Sequence, residues 1–123
     1  MKRGAVYLLS QENIQRRAGE DGVVQAEWPR LLRPVVLVSR EAINHYGAVV
    51  VVCPLVDASS VHVAYPSDVP VRAPEAGLTA DSLVMTGQLR AVARAQLVRQ
   101  LGALSAEMMR EIDRALRVTL DLE

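Results

Sequence analysis

Residues 49–57 read VVVVCPLVD. Four valines run into Cys53, Pro54, Leu55 and Val56, and the first charge comes only at Asp57. A short apolar run of β-branched residues without polar alternation is the pattern of a strand covered on both faces. AVVVVC (48–53) is therefore read as the central strand of a sheet, with Pro54–Asp57 delivered to its end. Strand ends often carry the chemistry of a small fold. This one offers a thiol, a proline ring and two aliphatic side chains.

Upstream, REAINHYG (40–47) makes a turn or a single helical turn stopped by Gly47. PVVLVS (34–39) is a second strand; Pro34 can open it because a first position need not donate to the ladder. GAVYLL (4–9) is a third run of the same kind. Between Ser10 and Leu32 the pattern dissolves into charges, glycines and one tryptophan, a loop of the length usually reserved for function or disorder.

Downstream, VHVAYP (61–66) alternates and predicts another strand. SDVPVRAPEAGLTAD (67–81) is a proline-punctuated connection with room for a short edge strand, and SLVMT (82–86) is a further strand. AVARAQLVRQL (91–101) fits either a helix or a turn followed by the strand LVRQLGAL (97–104); periodicity does not decide between them. The last segment, AEMMREIDRALRVTLDL (106–122), predicts a helix capped by Ser105, with Glu107 placed against the N-terminal dipole. Met109, Ile112, Leu116 and Leu120 form its apolar stripe, and Glu107–Arg110, Glu111–Arg114 and Asp113–Arg117 are spaced to pair. The architecture expected is α+β, a small, strongly bent antiparallel sheet followed by a helix, in a single domain spanning 1–123.

Half of the residues are hydrophobic, enough for a core. Formal net charge is zero, so no global field draws the chain to nucleic acid, although local patches can still act. Lys2 is the only lysine; the remaining positive charge is arginine, whose planar fork suits phosphate. Cys53 is the only cysteine and His45 and His62 the only histidines, so neither a disulfide nor a cysteine-based metal cluster is expected, and no cofactor motif is present. No apolar run approaches the roughly 20 residues of a membrane span, and the N-terminus lacks the form of a signal peptide. The expected location is cytoplasmic, without a membrane partner.

The order of these segments resembles the MazF/PemK (Kid-like) toxins. KRGAVYLL resembles that family's opening strand, RPVVLVS its Arg-Pro strand, and INHYGAVVVVCPL its Asn-containing turn, apolar strand and proline. GLTADSLVMTGQLRAV resembles its Gly-Leu…Asp-Ser segment running into a Gln-x-Arg motif, and LGALSAEMMREIDRALRVTLDL its closing helix. The resemblance implies an SH3-like barrel of CcdB/PemK type with a C-terminal helix, usually as a homodimer. It also implies metal-free endoribonuclease cleavage of single-stranded RNA, and a cognate antitoxin whose acidic, disordered tail blocks the RNA groove. The related CcdB toxins share the fold and act on DNA gyrase, so a non-catalytic module that binds antitoxin or gyrase is the alternative.

Metal-free cleavage uses the substrate 2′-OH as nucleophile and requires charge stabilisation at phosphorus and two proton transfers. By resemblance, Arg33 faces the scissile phosphate and is the catalytic candidate. Gln88 and Arg90 match the Gln-x-Arg motif, and Ser39 ends the Arg-Pro strand where relatives also carry serine. Trp28 and Arg30 lie in the long loop, which in the family can cover the RNA; one aromatic among arginines can stack a base and track a backbone. Two departures weaken the enzyme reading. Val56 stands where many relatives carry threonine, and Gly87 where others carry a carboxylate. Asp57, Ser59, Ser60, Thr86, His45 and His62 are the candidate substitutes for these groups.

Overall fold

A computed structural model describes residues 1–10, 32–61 and 64–122. The elements are β1 (Ala5–Ser10), β2 (Leu32–Leu37), α1 (Glu41–Tyr46), β3 (Val49–Asp57), β4 (Asp68–Val71), β5 (Ser82–Met85), β6 (Arg90–Ala93), β7 (Leu97–Ala103) and α2 (Ala106–Leu120). All pairings are antiparallel. The hydrogen-bonded path runs β4-β5-β3-β2-β1-β7, with β6 added to β3. The expected α+β class holds; among the described residues the path does not close on itself, so the barrel expected from the resemblance is here an open seven-stranded sheet.

β3 is the spine. One edge pairs with β2 from Val52↔Leu37 to Pro54↔Val35. The other edge changes neighbour: Val49–Val52 pair with β6, and Leu55–Asp57 with β5. Pro54 falls at this change, between two ladders, where a missing N–H breaks neither of them. The strand therefore runs on to Asp57 where the sequence reading ended it at Cys53. Its two faces are both covered, as the valine run predicts. Val50 and Val52 enter a cluster with Leu9, Val35, Leu37 and Val92, while Cys53 and Leu55 enter a larger one with Val6, Val36, Val84 and Ile112.

α2 closes the larger cluster. Ser105 caps it as expected, its hydroxyl accepting the Met108 N–H at 3.1 Å. Ile112 and Ala115 are fully packed, flanked by Met108, Met109 and Leu116. Leu120, expected on the buried stripe, is 47% exposed; at that end Thr119 turns inward and bonds Thr86. Glu111 and Arg114 pair as predicted. Asp113 pairs across the fold with Arg3 at 2.7 Å, not with Arg117, and Arg3 also donates to the Val38 carbonyl at 2.8 Å. The opening residues are thereby tied to α2 and to the end of β2.

Two further readings are resolved. The ambiguous stretch 91–101 is a strand, a turn and a strand, because β6 finds its partner in β3 and β7 finds its own in β1. The strand expected at 61–66 is absent at the described positions 61 and 64–66; the edge strand is β4, with Pro70 on the open side of the sheet. β7 is crossed closely by the turn Glu75–Gly77: a Cβ on Gly102 would lie 2.6 Å from the Ala76 carbonyl carbon. Among the described residues no helix is long and apolar enough to cross a membrane.

Candidate nucleic-acid interface

Strand alternation decides which side chains share a face. Val35 and Leu37 point into the smaller cluster, so Arg33, two residues earlier on β2, projects on that same side, where it is exposed. Val50 and Val52 point there too, which puts Pro54 and Val56 on the same face of β3. The β2–β3 ladder ends at Val35↔Pro54, and extending its register by two residues would bring Arg33 opposite Val56. On the other edge of β3, Val52↔Arg90 brings the Arg90 side chain to this face, also exposed. Two strand spacings and four residues of rise separate Arg33 from Arg90, roughly 16 Å. Gln88 is exposed on the turn Thr86–Gln88 that leads into β6.

Arg33 and Arg90 therefore share one face of the sheet, and Gln88 lies on the turn two residues before Arg90. No hydrogen bond or ion pair joins any of the three side chains to another described residue. They are charges and donors left to solvent or to a ligand, and two guanidinium groups flanking an apolar strip of Pro54 and Val56 suit a phosphate backbone with its bases laid between.

Ser39 is elsewhere. It follows the opposite end of β2, is buried, and donates its hydroxyl to Asn44 Oδ1 at 2.5 Å while accepting the Val51 N–H at 3.0 Å. Asn44, 0% exposed, donates back to the Ser39 carbonyl at 2.8 Å, and its own carbonyl takes Arg94 Nη2 at 2.6 Å. This network fastens α1 to the start of β3 and to the turn after β6. Trp28 and Arg30 lie outside the described residues, as does His62.

The groups considered as substitutes for a hydroxyl at Val56 are engaged locally. Asp57 caps the short turn Ala58–Ser60, accepting from Ser59 N–H at 2.9 Å and from its hydroxyl at 2.7 Å. These bonds hold the Asp57 carboxyl below its ordinary range, so it stays anionic and is a poor proton donor. The Ser60 hydroxyl donates to the Asp57 carbonyl at 2.7 Å. Thr86 is 0% exposed, bonded to the Ser67 carbonyl at 2.6 Å and to Thr119 at 2.8 Å. His45 sits on α1, 6.0 Å from the Tyr46 ring and at the far end of β3. Cys53 faces the larger cluster, and burial pushes its thiol up to about 12 against a smaller opposing pull from Arg3. Gly87 leaves open space: a Cβ there would meet only Ser67 Oγ, at 3.8 Å.

Asn44 and Arg94 are structural residues that the sequence reading did not single out. Asn44 sat within a recognised turn, but nothing local marks Arg94 as its partner fifty positions away. Tyr65, read as part of a strand, stands exposed on a turn.

The fold is an open antiparallel sheet closed on one side by a capped helix, with Arg33 and Arg90 exposed on the other side. A family model described as the PemK-like, MazF-like toxin of type II toxin–antitoxin systems matches residues 2–120. The chain belongs to this family. An endoribonuclease MazF of Staphylococcus epidermidis is 30% identical over 122 residues, covering 99% of this chain and 92% of that protein. Among solved structures, an endoribonuclease in complex with its cognate antitoxin from a mycobacterial species superposes with a TM-score of 0.73 at 23% identity, over 100% of this chain and 97% of the other. A MazE–MazF complex of Deinococcus radiodurans gives 0.72 at 18% identity over the same shares. At those identities the two structures establish the fold.

Proposed function

We propose that this chain is the toxin of a type II toxin–antitoxin pair and acts as an endoribonuclease on single-stranded RNA, without a metal. The observation that carries the reading is the exposed, unpartnered Arg33 on the same sheet face as Arg90. In the proposed reaction the substrate 2′-oxygen loses its proton and attacks the adjacent phosphorus. A 2′,3′-cyclic phosphate forms, the P–O5′ bond breaks, and the departing 5′-oxygen takes up a proton. Arg33 offsets the charge growing on the phosphoryl oxygens, the effect that preorganised donors supply best. Arg90 holds a neighbouring phosphate and Gln88 reads a base edge. Ser39, bonded within the fold, acts on this face only through the position of β2 and β3.

The complexes formed by relatives support a cognate antitoxin as partner. An acidic, disordered tail fits the charge of Arg33 and Arg90 and would compete with RNA for them. A homodimer and a cytoplasmic location complete the reading. The second reading is a toxin-fold module that binds antitoxin or gyrase and does not cut RNA. Val56 and Gly87 favour it, since neither offers a proton-transferring group beside Arg33.

The test is cleavage of single-stranded RNA by purified protein in EDTA, with the Arg33→Ala variant alongside. Chelator-resistant fragments ending in 2′,3′-cyclic phosphate, reduced about 100-fold or more in rate by the substitution, are expected. No cleavage at any protein concentration, or equal cleavage by the variant, would refute the catalytic reading. Inhibition of gyrase supercoiling in that case would favour the second.

A further inference from the structure

Beside the edge strand β4, on the turn that leads into it, stands an exposed aromatic residue, Tyr65. Val69 and Val71 enter the helix-side cluster, so alternation places Asp68 and Pro70 on the opposite side, the one that carries Arg33. There Asp68 Oδ2 accepts the Tyr65 N–H at 2.9 Å, and the Asp68 N–H donates to the Tyr65 carbonyl at 2.8 Å. Because the carboxylate lies on the Arg33 side, this double clasp curls the turn Tyr65–Asp68 toward that side. The turn is also braced from behind. The Ser67 carbonyl accepts from Thr86 Oγ1 at 2.6 Å, and Thr86 is bonded in turn to Thr119 of α2.

The Tyr65 side chain thus stands on a fixed backbone and is 63% exposed. Its hydroxyl has no hydrogen bond, and its ring packs against no other ring among the described residues. Between Arg33 and this rim the described residues of the face are apolar up to β4, where Asp68 pairs with Met85. The pairs Val56↔Leu83 and Leu83↔Pro70 carry one row across β3, β5 and β4, with half-buried Pro54 and Met85 in the next row. Three strand spacings make this crossing about 15 Å, the reach of a few nucleotides. Among the described residues this row carries no cation; exposed Arg72 follows Pro70 two residues on. A strand of RNA held at Arg33 and running outward crosses this aliphatic floor to the β4 edge, where Tyr65 stands on the turn before the strand.

We propose that Tyr65 is a base-stacking residue, and that a nucleobase a few positions from the phosphate at Arg33 lies against its ring. This rests on the RNA reading above and adds to it a subsite on the β4 edge. Stacking on an aromatic tolerates any base, so Tyr65 contributes affinity and sets the length of strand engaged more than its sequence.

The experiment measures binding of oligoribonucleotides of about four and about twelve nucleotides by fluorescence anisotropy, lengths that bracket a small single-strand site. The proteins compared are wild type, Tyr65→Ala, Tyr65→Phe, Arg33→Ala and Tyr46→Ala. Tyr46 is the control: it is 89% exposed, on α1 at the other end of the sheet. Tyr65→Ala is expected to weaken the longer oligonucleotide about tenfold and the shorter one much less, with the dependence on log salt unchanged because no charge is lost. Tyr65→Phe and Tyr46→Ala are expected to bind like wild type, and Arg33→Ala to flatten the salt dependence. If Tyr65→Ala binds the longer RNA as wild type does while Arg33→Ala is weakened, the Tyr65 subsite is overturned and the RNA reading stands. If Tyr65→Phe loses as much as Tyr65→Ala, stacking is overturned. If wild type binds neither RNA, both fall.

Discussion

Ser39→Ala separates a residue that touches RNA from one that holds the fold. The serine hydroxyl has two partners, Asn44 Oδ1 at 2.5 Å and the Val51 N–H at 3.0 Å. Alanine fills the same space without strain, so the cost is that of the groups left behind. A buried acceptor or donor deprived of its partner loses about 1–3 kcal/mol. Asn44 is fully buried, so its oxygen incurs a cost in the middle of that range, whereas half-buried Val51 recovers part of its loss from water. The sum is about 2–4 kcal/mol of stability. Urea unfolding at fixed protein concentration reads it as a lower midpoint with an unchanged slope. Asn44→Ala is expected to cost at least as much. The double variant should cost less than the sum of the two, because both single changes break the Ser39–Asn44 bond. Residual RNA cleavage per folded molecule should stay close to wild type. A loss below about 0.5 kcal/mol, the range of an ordinary surface substitution, together with abolished cleavage, would refute this reasoning and return Ser39 to the substrate.

Three other outcomes are expected. Gly102→Ala forces a Cβ within 2.6–2.9 Å of the Ala76 backbone, so the turn Glu75–Gly77 must lift from β7; a loss of about 1–3 kcal/mol should appear in thermal melting. Val56→Thr combined with Gly87→Glu adds a hydroxyl on the face that carries Arg33 and a carboxylate into open space, and a gain in cleavage of about 100-fold is expected if proton transfer limits the rate, read by single-turnover assay. The Cys53 thiol, raised from 9.0 to about 12, should resist alkylation near pH 8 until the protein unfolds. Because that pKa is raised on folding, its contribution to stability is complete below pH 9 and declines as pH climbs toward 12. Cys53→Ala should remove that part of the alkaline decline in urea stability.

The sequence carried what is decided within a few residues. Four valines announced a doubly covered strand, Ser105 announced the start of α2, and Gly47 the end of α1. What it did not carry depends on partners far along the chain. Residues 91–101 have no local preference strong enough to choose a state; β3 and β1 choose it by offering open edges. VHVAYP had the alternation of a strand, yet the ladder forms at DVPV, whose apolar valines find the helix-side cluster. Asp113 had Arg117 one helical turn away and instead meets Arg3, brought beside it when β1 joins the sheet. Arg33, Gln88 and Arg90 are site candidates through the resemblance to a toxin family. The face shared by Arg33 and Arg90 follows from register, which no motif states. The isolation of Ser39 from that face was not legible, because its role depends on Asn44 and Arg94 converging in three dimensions.

The pairing of β1 with β7 has a consequence during synthesis. Ala5 lies beside Ala103, and Val6 shares a cluster with Ile112 of α2. The first strand therefore waits for nearly the last, and contacts between distant segments form late because the chain must be gathered before they contribute. A nascent chain long enough to include Arg33 still lacks the strands that frame it on the far side of β3. The face proposed to meet RNA is assembled only when β5, β6, β7 and α2 have emerged, so a partly made chain is expected to lack it.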